Sequence, residues 1–412
     1  MMELREYQKD IAGNAAQILR QLNIIYLAME VRTGKTATAL ETARLFGATN
    51  VLFTTKKKAI SSIEKDYLNF GFNNHFNLTV INNESAHTVH QNFDLIVSDE
   101  HHRVGGSFPK PSKMAKDMKA KYAHLPMIFL SGTPTPENHS QIYHQFWVSN
   151  HSPFNKWSNF YKWAKDFVDV YQIDFGYGKV NNYDKAKKYL IDPIVSPYMI
   201  YFSQKNSGFL GEVKENVLYC TMPTHLSNMI ETLKKNLVLQ GKDEVILADT
   251  PVKLMSKVHQ LCSGTIKFES GNAMTIDKSK AYFIANEFSN HKIAIFYKFK
   301  QEYECLKSVL HDRLTNDIDT FNSDSNKWIA LQIVSGREGV NLSAAKYLVY
   351  YNIDFSALSY WQSRDRLTTM ERQNNEVFWV FSKGGIEEKI YKAVLDKKDY
   401  TLNQFTRDYA RE

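Results

Sequence analysis

Residues 24–40, IIYLAMEVRTGKTATAL, decide the fold class. The apolar run Ile24 to Ala28 reads as a buried strand, and the stretch after Gly34 reads as a helix. Between them stand Thr33, Gly34, Lys35 and Thr36. A glycine at a strand-to-helix turn presents backbone N–H groups at a helix N-terminus. A lysine there reaches β- and γ-phosphates, and the next hydroxyl can ligate Mg2+. These four residues are therefore the candidate phosphate-binding loop, with Thr36 as a candidate metal ligand. Met29 stands where such loops usually carry their first glycine, and a GKT tripeptide also occurs by chance.

Working outward, the same strand-then-helix rhythm recurs. Val51 to Thr54, Leu78 to Ile81, Leu95 to Val97 and Ile128 to Leu130 read as further buried strands. That alternation predicts a parallel α/β sheet. The stretch from about Ser152 to Tyr177 breaks it, with Trp157, Phe160, Tyr161, Trp163, Phe167 and Tyr171 at mostly helical spacing. It is expected to be a helical insertion whose aromatics pack as a core rather than stack on bases. Strand signals return near Val217. After a hairpin around Glu269 to Asn272 a second series follows: Ile293 to Phe296, Ile329 to Ile333, Tyr347 to Tyr351 and Val377 to Phe381. The fold expected is α/β with two lobes, residues 1–150 and 216–412, and an aromatic-rich protrusion and linker over 151–215.

The bulk numbers agree with this division. At 412 residues the chain exceeds what one core usually supports. With 43% hydrophobic and 23% charged residues it is not a disordered chain. MMELREYQKD has charges where a signal peptide needs an apolar stretch, and no run reaches membrane-spanning length, so a cytoplasmic protein without membrane contact is expected. Cys220, Cys262 and Cys305 match neither a disulfide framework nor a zinc ribbon and read as buried thiols. The net charge of +7 favours an anionic partner, although many proteins of similar charge never touch nucleic acid.

Three further stretches carry chemistry. FDLIVSDEHH (93–102) places Asp99 and Glu100 at the end of an apolar strand, where loops of an open α/β sheet face the ligand crevice. Asp99 would hold Mg2+, and Glu100 would orient and deprotonate an attacking water. The nearby His87, His90, His101 and His102 lack the cysteines of a zinc site. FLSGTPTPE (129–137) ends a strand in the small hydroxyl residues Ser131 and Thr133, suited either to a plain turn or to hydrogen bonds with the acidic loop. LQIVSGREGVNLSAAKYLVYY (331–351) precedes DFSALSYWQSRDRL (354–367), a helix bearing Gln362, Arg364, Asp365 and Arg366. A guanidinium there could serve as an arginine finger, or the charges could line a solvated face.

Taken in order, these elements resemble the superfamily-two helicases, most closely the Snf-type DNA translocases in a minimal phage or bacterial form. The resemblance spans nearly the whole chain. LREYQ (4–8) resembles the adenine-recognition segment; EVRTGKT, SDEHH and SGTPTPE resemble the nucleotide-binding, magnesium-binding and coupling motifs. IAIFYKF (293–299), SGREGVNLSAAKYLVYYNIDF (335–355), YWQSRDRL (360–367) and the run to IEEKIYKAVLDKK (386–398) resemble the second lobe. The resemblance implies two RecA-like lobes that use ATP and Mg2+, with nucleotide contacts from Arg5, Gln8 and Gly339 beside the phosphate loop. It implies coupling through Ser131, Thr133 and Gln362, and a DNA strand held by Lys56, Lys57, Lys58 and Asn341. The family's last motif carries two arginines three residues apart. Here Thr369 occupies the second place, so Arg366 is the expected finger, with Arg364 and Arg372 as reserves. A lysine stripe at Lys110, Lys113, Lys116 and Lys119 is expected to be a solvated helix face.

The activity expected is a nucleic-acid-stimulated ATPase acting as a monomer on duplex, branched or single-stranded DNA, with a recruiting protein as a candidate further partner. Two alternatives stay open at this point. Met29 and Thr369 suit an ATP-binding nucleic-acid clamp or recruiting module with weak turnover. An RNA helicase would use the same motifs.

Overall fold

The computed structural model describes residues 2–136, 138–174, 179–208, 212–241, 244–336, 340, 342–367 and 374–396. The chain divides into two compact units, Met1–Phe209 and Leu210–Glu412.

In the first unit six strands form one parallel sheet. Their spatial order is Asn77–Asn82, Asn50–Thr55, Leu95–Ser98, Met127–Leu130, Ile24–Met29, Met199–Phe202. Every residue of Ile24–Met29 is buried, because a strand inside a parallel sheet is covered on both faces. The period of two divides it cleanly. Ile25, Leu27 and Met29 join Ile11, Ala15, Leu19, Ala39, Leu40 and Ala43 of the helices Glu6–Leu22 and Lys35–Phe46. Tyr26 and Ala28 face the other cluster with Phe129, Tyr143 and Phe146. The helix Lys35–Phe46 stops at Gly47, whose φ of 92° lets its N–H turn back to the carbonyls of Ala43 and Arg44.

The aromatic stretch packs as expected from its spacing. Phe160, Trp163 and Phe167 lie on the helix Phe160–Phe167 and are buried in the cluster that holds Tyr143 and Phe154. Beyond that helix the chain turns extended. Tyr171–Asp174 pairs antiparallel with Lys179–Asn182, so the insertion adds a hairpin where its spacing suggested helix alone. The β-branched Val168, Val170 and Ile173 favour that conformation. The strand Met199–Phe202, inside the stretch expected as protrusion and linker, pairs with Tyr26 to Met29 and forms an edge of the first sheet.

The second unit repeats the architecture without repeating the sequence. Its six parallel strands run in the order Leu314–Thr315, Trp328–Gln332, Ile293–Tyr297, Tyr347–Tyr350, Asn374–Ser382, Glu212–Cys220. A hairpin joins Thr265–Lys267 to Ala273–Thr275, around the expected turn. The Trp379 ring stacks on Tyr350 with centroids 3.7 Å apart, at the centre of a cluster that also holds Leu348, Phe381 and Ile390. All three cysteines are buried free thiols. Among the described residues no helix is long and apolar enough to cross a membrane.

Candidate active site

Because the first sheet is parallel, its strands deliver their following loops to the same edge. The loop after Ile24–Met29 makes the tightest turn. Arg32 has φ 62° and Gly34 φ 79°, and the helix starts at Lys35. Glycine suits position 34 because of that φ, and a Cβ there would also sit 2.0 Å from Gln8 Nε2 and displace it. The loop closes on itself at Glu30, whose carbonyl accepts from Thr33 Oγ1 at 2.7 Å and Lys35 Nζ at 3.2 Å. At the helix start, the Thr38 N–H and hydroxyl both donate to the Gly34 carbonyl.

The N-terminal segment binds this loop from one side. Gln8 is 5% exposed; its Oε1 accepts the Arg5 N–H at 2.9 Å, and its Nε2 donates to the Gly34 carbonyl at 3.4 Å. Arg5 donates to the Tyr7 hydroxyl, which donates to the Thr33 carbonyl at 3.1 Å. The Tyr7 ring stacks on Phe202 at 4.8 Å. The expected nucleotide residues Arg5, Gln8, Thr33, Gly34 and Lys35 are thus gathered in one place, and Tyr7, which carries no motif signature, links two of them.

The acidic loop lies beside them. Asp99 receives the Thr55 hydroxyl at 2.8 Å, and its N–H donates to the Thr54 carbonyl. Burial, then the neighbouring Glu100 charge, push the Asp99 carboxyl up to about 6, while Lys35 pulls the other way. Glu100 takes the left-handed conformation, φ 48°, and its Oε2 lies 3.4 Å from His102 Nδ1. That nitrogen is also 2.8 Å from Ser131 Oγ, which in turn accepts the Thr133 N–H at 3.0 Å. Ser131 is fully buried. Gly132 sits close to the loop: a Cβ there would meet the Met29 carbonyl at 3.4 Å and Lys35 Nζ at 3.6 Å. His101 has a structural task. It stacks on Phe129 at 3.7 Å and bonds Ser98 and the Gln145 carbonyl, and burial drives it down to about 3. Among the described residues no group of histidines, cysteines and acids forms a metal cluster.

The profile of the SNF2-related domain family matches residues 19–266, more than half the chain and every part of this loop assembly beyond the N-terminal segment. The chain belongs to the SNF2-related domain family. One curated relative of this SNF2-related chain is the SWI/SNF-related matrix-associated actin-dependent regulator of chromatin subfamily A-like protein 1 homolog of Caenorhabditis elegans. It is 23% identical over 91% of this chain, which spans 58% of that relative's length. Two solved structures from Sulfolobus solfataricus are similar. The SWI2/SNF2 ATPase core in complex with dsDNA is 16% identical, covering 100% of this chain and 93% of that one, with TM-score 0.43. The SWI2/SNF2 ATPase core domain is 17% identical, covering 96% and 89%, with TM-score 0.41.

Other expected positions of the SNF2-related chain are dispersed. Lys56, Lys57 and Lys58 follow the strand Asn50–Thr55, and Lys57 and Lys58 are exposed. In the stripe, Lys119 is half-buried and donates to the Trp147 carbonyl at 2.6 Å, so that face is not uniformly solvated. In the second unit Arg366 follows the helix Ala357–Arg364, with its Nε donating to the Gln362 carbonyl at 3.0 Å; the Gln362 side chain is buried. The reserve Arg364 is committed elsewhere. It pairs with Glu215 at 3.0 Å, and that carboxylate also accepts from Tyr360, Trp379 and Tyr391. Gly339, Asn341, Thr369 and Arg372 lie outside the described residues.

Sequence reading missed Tyr7, Thr55 and Gln204. The Gln204 N–H donates to Glu30 Oε2 at 2.7 Å, and its Nε2 donates to the Val31 carbonyl at 2.8 Å. No local signal marks a glutamine 174 residues from its partner.

Proposed function

We propose that this chain is an ATP-dependent DNA translocase motor, a nucleic-acid-stimulated ATPase. The observation that carries the reading is the convergence, within one SNF2-related unit, of Lys35 at a helix start with the Asp99–Glu100 pair, and of that pair with Ser131 through His102. Each part has a chemical task in phosphoryl transfer. The backbone N–H groups around Gly34 and the Lys35 ammonium would receive the phosphates. Glu100, whose Oε2 lies 3.4 Å from His102 Nδ1, would orient water and accept its proton.

The residues present suit Mg2+. Thr36 and Asp99 are hard oxygen donors, and two adjacent acids at a buried strand end leave negative charge for a cation to neutralise. When bound, Mg2+ would neutralise charge developing on the transferred phosphoryl group. Arg366 is the proposed arginine finger, acting on that same charge.

DNA as the partner is supported by the family membership, by the net charge of +7 and by Lys56 to Lys58, which follow a strand whose last residue bonds Asp99. Each phosphate contact would add a salt-dependent increment of affinity. Steady-state ATPase with and without duplex, forked and single-stranded DNA tests the reading. Stimulation by DNA supports it; ATP binding with no stimulation by any DNA would favour a clamp. Stronger stimulation by RNA than by DNA would redirect the substrate.

A further inference from the structure

Glu30 is bonded in three directions. Its N–H donates to the Phe202 carbonyl at 2.9 Å. Its own carbonyl holds Lys35 Nζ and Thr33 Oγ1. Its carboxylate accepts the Gln204 N–H at 2.7 Å, while the Gln204 side chain holds the next carbonyl, Val31, at 2.8 Å. The ammonium proposed to meet phosphate and the segment Phe202 to Gln204 therefore meet on one residue of the loop. That segment is followed by the short turn Lys205–Ser207, near the end of the first unit at Phe209.

Met29 stands where a loop of this kind usually carries glycine, and the loop passes through left-handed conformations at Arg32 and Gly34. Such backbone persists when its surroundings fix it. Here bonds within the loop, from Thr33 and Lys35 to the Glu30 carbonyl, are joined by bonds from outside it, from Gln204, Tyr7 and Gln8.

We propose that Gln204 is a positioning residue, coupling the phosphate loop to the stretch of chain that leads into the second unit and so governing how strongly DNA stimulates turnover. The proposal rests on the ATPase reading above. Phosphate binding draws Lys35 Nζ away from the Glu30 carbonyl. Because Glu30 is bonded to Phe202 and to the Gln204 N–H, and the Gln204 side chain holds the adjoining Val31 carbonyl, a shift of this part of the loop is felt at the end of the first unit. Coupling between two sites needs such a shared element with contacts that differ between states.

Three variants test this: Gln204→Ala, Gln204→Glu, which keeps the shape but has no side-chain donor for the Val31 carbonyl, and Gln204→Lys, which keeps an N–H donor. For each, kcat and the KM for ATP are measured with and without duplex DNA, below the lowest melting midpoint of the set. In Gln204→Ala and Gln204→Glu the DNA-stimulated kcat should fall about tenfold further than the DNA-free kcat, the scale of one hydrogen bond, so that the stimulation ratio drops beyond any change the loosened loop makes to both conditions alike. Gln204→Lys should keep more than half of the stimulation. Full stimulation in Gln204→Ala, an equal fall with and without DNA, or loss in Gln204→Lys would each overturn the coupling. A wild-type protein that DNA does not stimulate would overturn the ATPase-motor reading and the coupling together; a stimulated wild type beside a stimulated Gln204→Ala overturns the coupling alone.

Discussion

His102 Nδ1 lies 2.8 Å from Ser131 Oγ, and both side chains are buried. The same nitrogen is 3.4 Å from Glu100 Oε2, so the proposed water-orienting acid and the loop after Met127–Leu130 share one imidazole. Removing the hydroxyl should leave the sheet intact and loosen that link. Ser131→Ala is expected to lower DNA-stimulated kcat by about tenfold, the scale of one buried hydrogen bond, with the KM for ATP changed less than about threefold. Steady-state kinetics read both; a rise in KM at unchanged kcat would contradict the assigned role.

Gly34 offers a test of the loop itself. Its φ of 79° strains any L side chain, and a Cβ would come 2.0 Å from Gln8 Nε2, so that amide would have to shift. Gly34→Ala should lose about 1 kcal/mol or more of stability from backbone strain and displace Gln8 as well. Calorimetric melting and nucleotide titration should fall together. A variant with wild-type melting and affinity would show that the loop is softer than described.

Much of this architecture was legible in the sequence, and the reason differs by level. Buried parallel strands are continuous apolar runs, so Ile24 to Ala28 and Leu95 to Val97 declared themselves. Asp99 and Ser131 follow such strands directly and Lys35 opens the helix after one, and their proximity follows from the sheet being parallel. What stayed hidden is held by contacts distant in sequence. Gln204 and Tyr7 carry no motif, and their bonds to Val31 and Thr33 exist only once the strand Met199–Phe202 lies beside Ile24–Met29. Arg364 looked like a spare finger because its partner Glu215 is 149 residues away. The hairpin at Tyr171–Asp174 was masked by aromatics whose spacing continued the preceding helix.

Arg364 and Arg366, two residues apart, should respond differently. Arg364→Ala strips a cation from the Glu215 carboxylate and its stack against Trp361, so roughly 1–3 kcal/mol of stability should be lost from the second unit. Arg366→Ala should leave melting nearly unchanged and lower kcat by about a hundredfold or more with little change in ATP affinity, as a finger acts on the transition state. Equal melting losses in the two variants would contradict this division.

His144 supplies a pH test. Its Nδ1 is 2.7 Å from the Ser107 carbonyl, its ring lies against Phe160 and Trp147, and burial pulls it from 6.5 to about 4. Above pH 6.5 neither folded nor unfolded chain protonates it, and it contributes no pH dependence. Between 6.5 and 4 the unfolded chain takes up a proton that the folded chain refuses, so stability falls as pH falls, by up to about 3 kcal/mol in total. His144→Asn should show a shallower decline in melting midpoint across that window than the wild type. Parallel declines would assign the acid sensitivity to other groups.

The central claim is that Lys35, with the loops gathered around it, turns over ATP in response to DNA. Its most direct measurement is the steady-state ATPase rate of the wild type and Lys35→Ala, each with and without duplex DNA. The wild type should be stimulated by DNA, and Lys35→Ala, folded by circular dichroism, should show no turnover above background in either condition. DNA-stimulated hydrolysis that survives undiminished in Lys35→Ala would contradict the account.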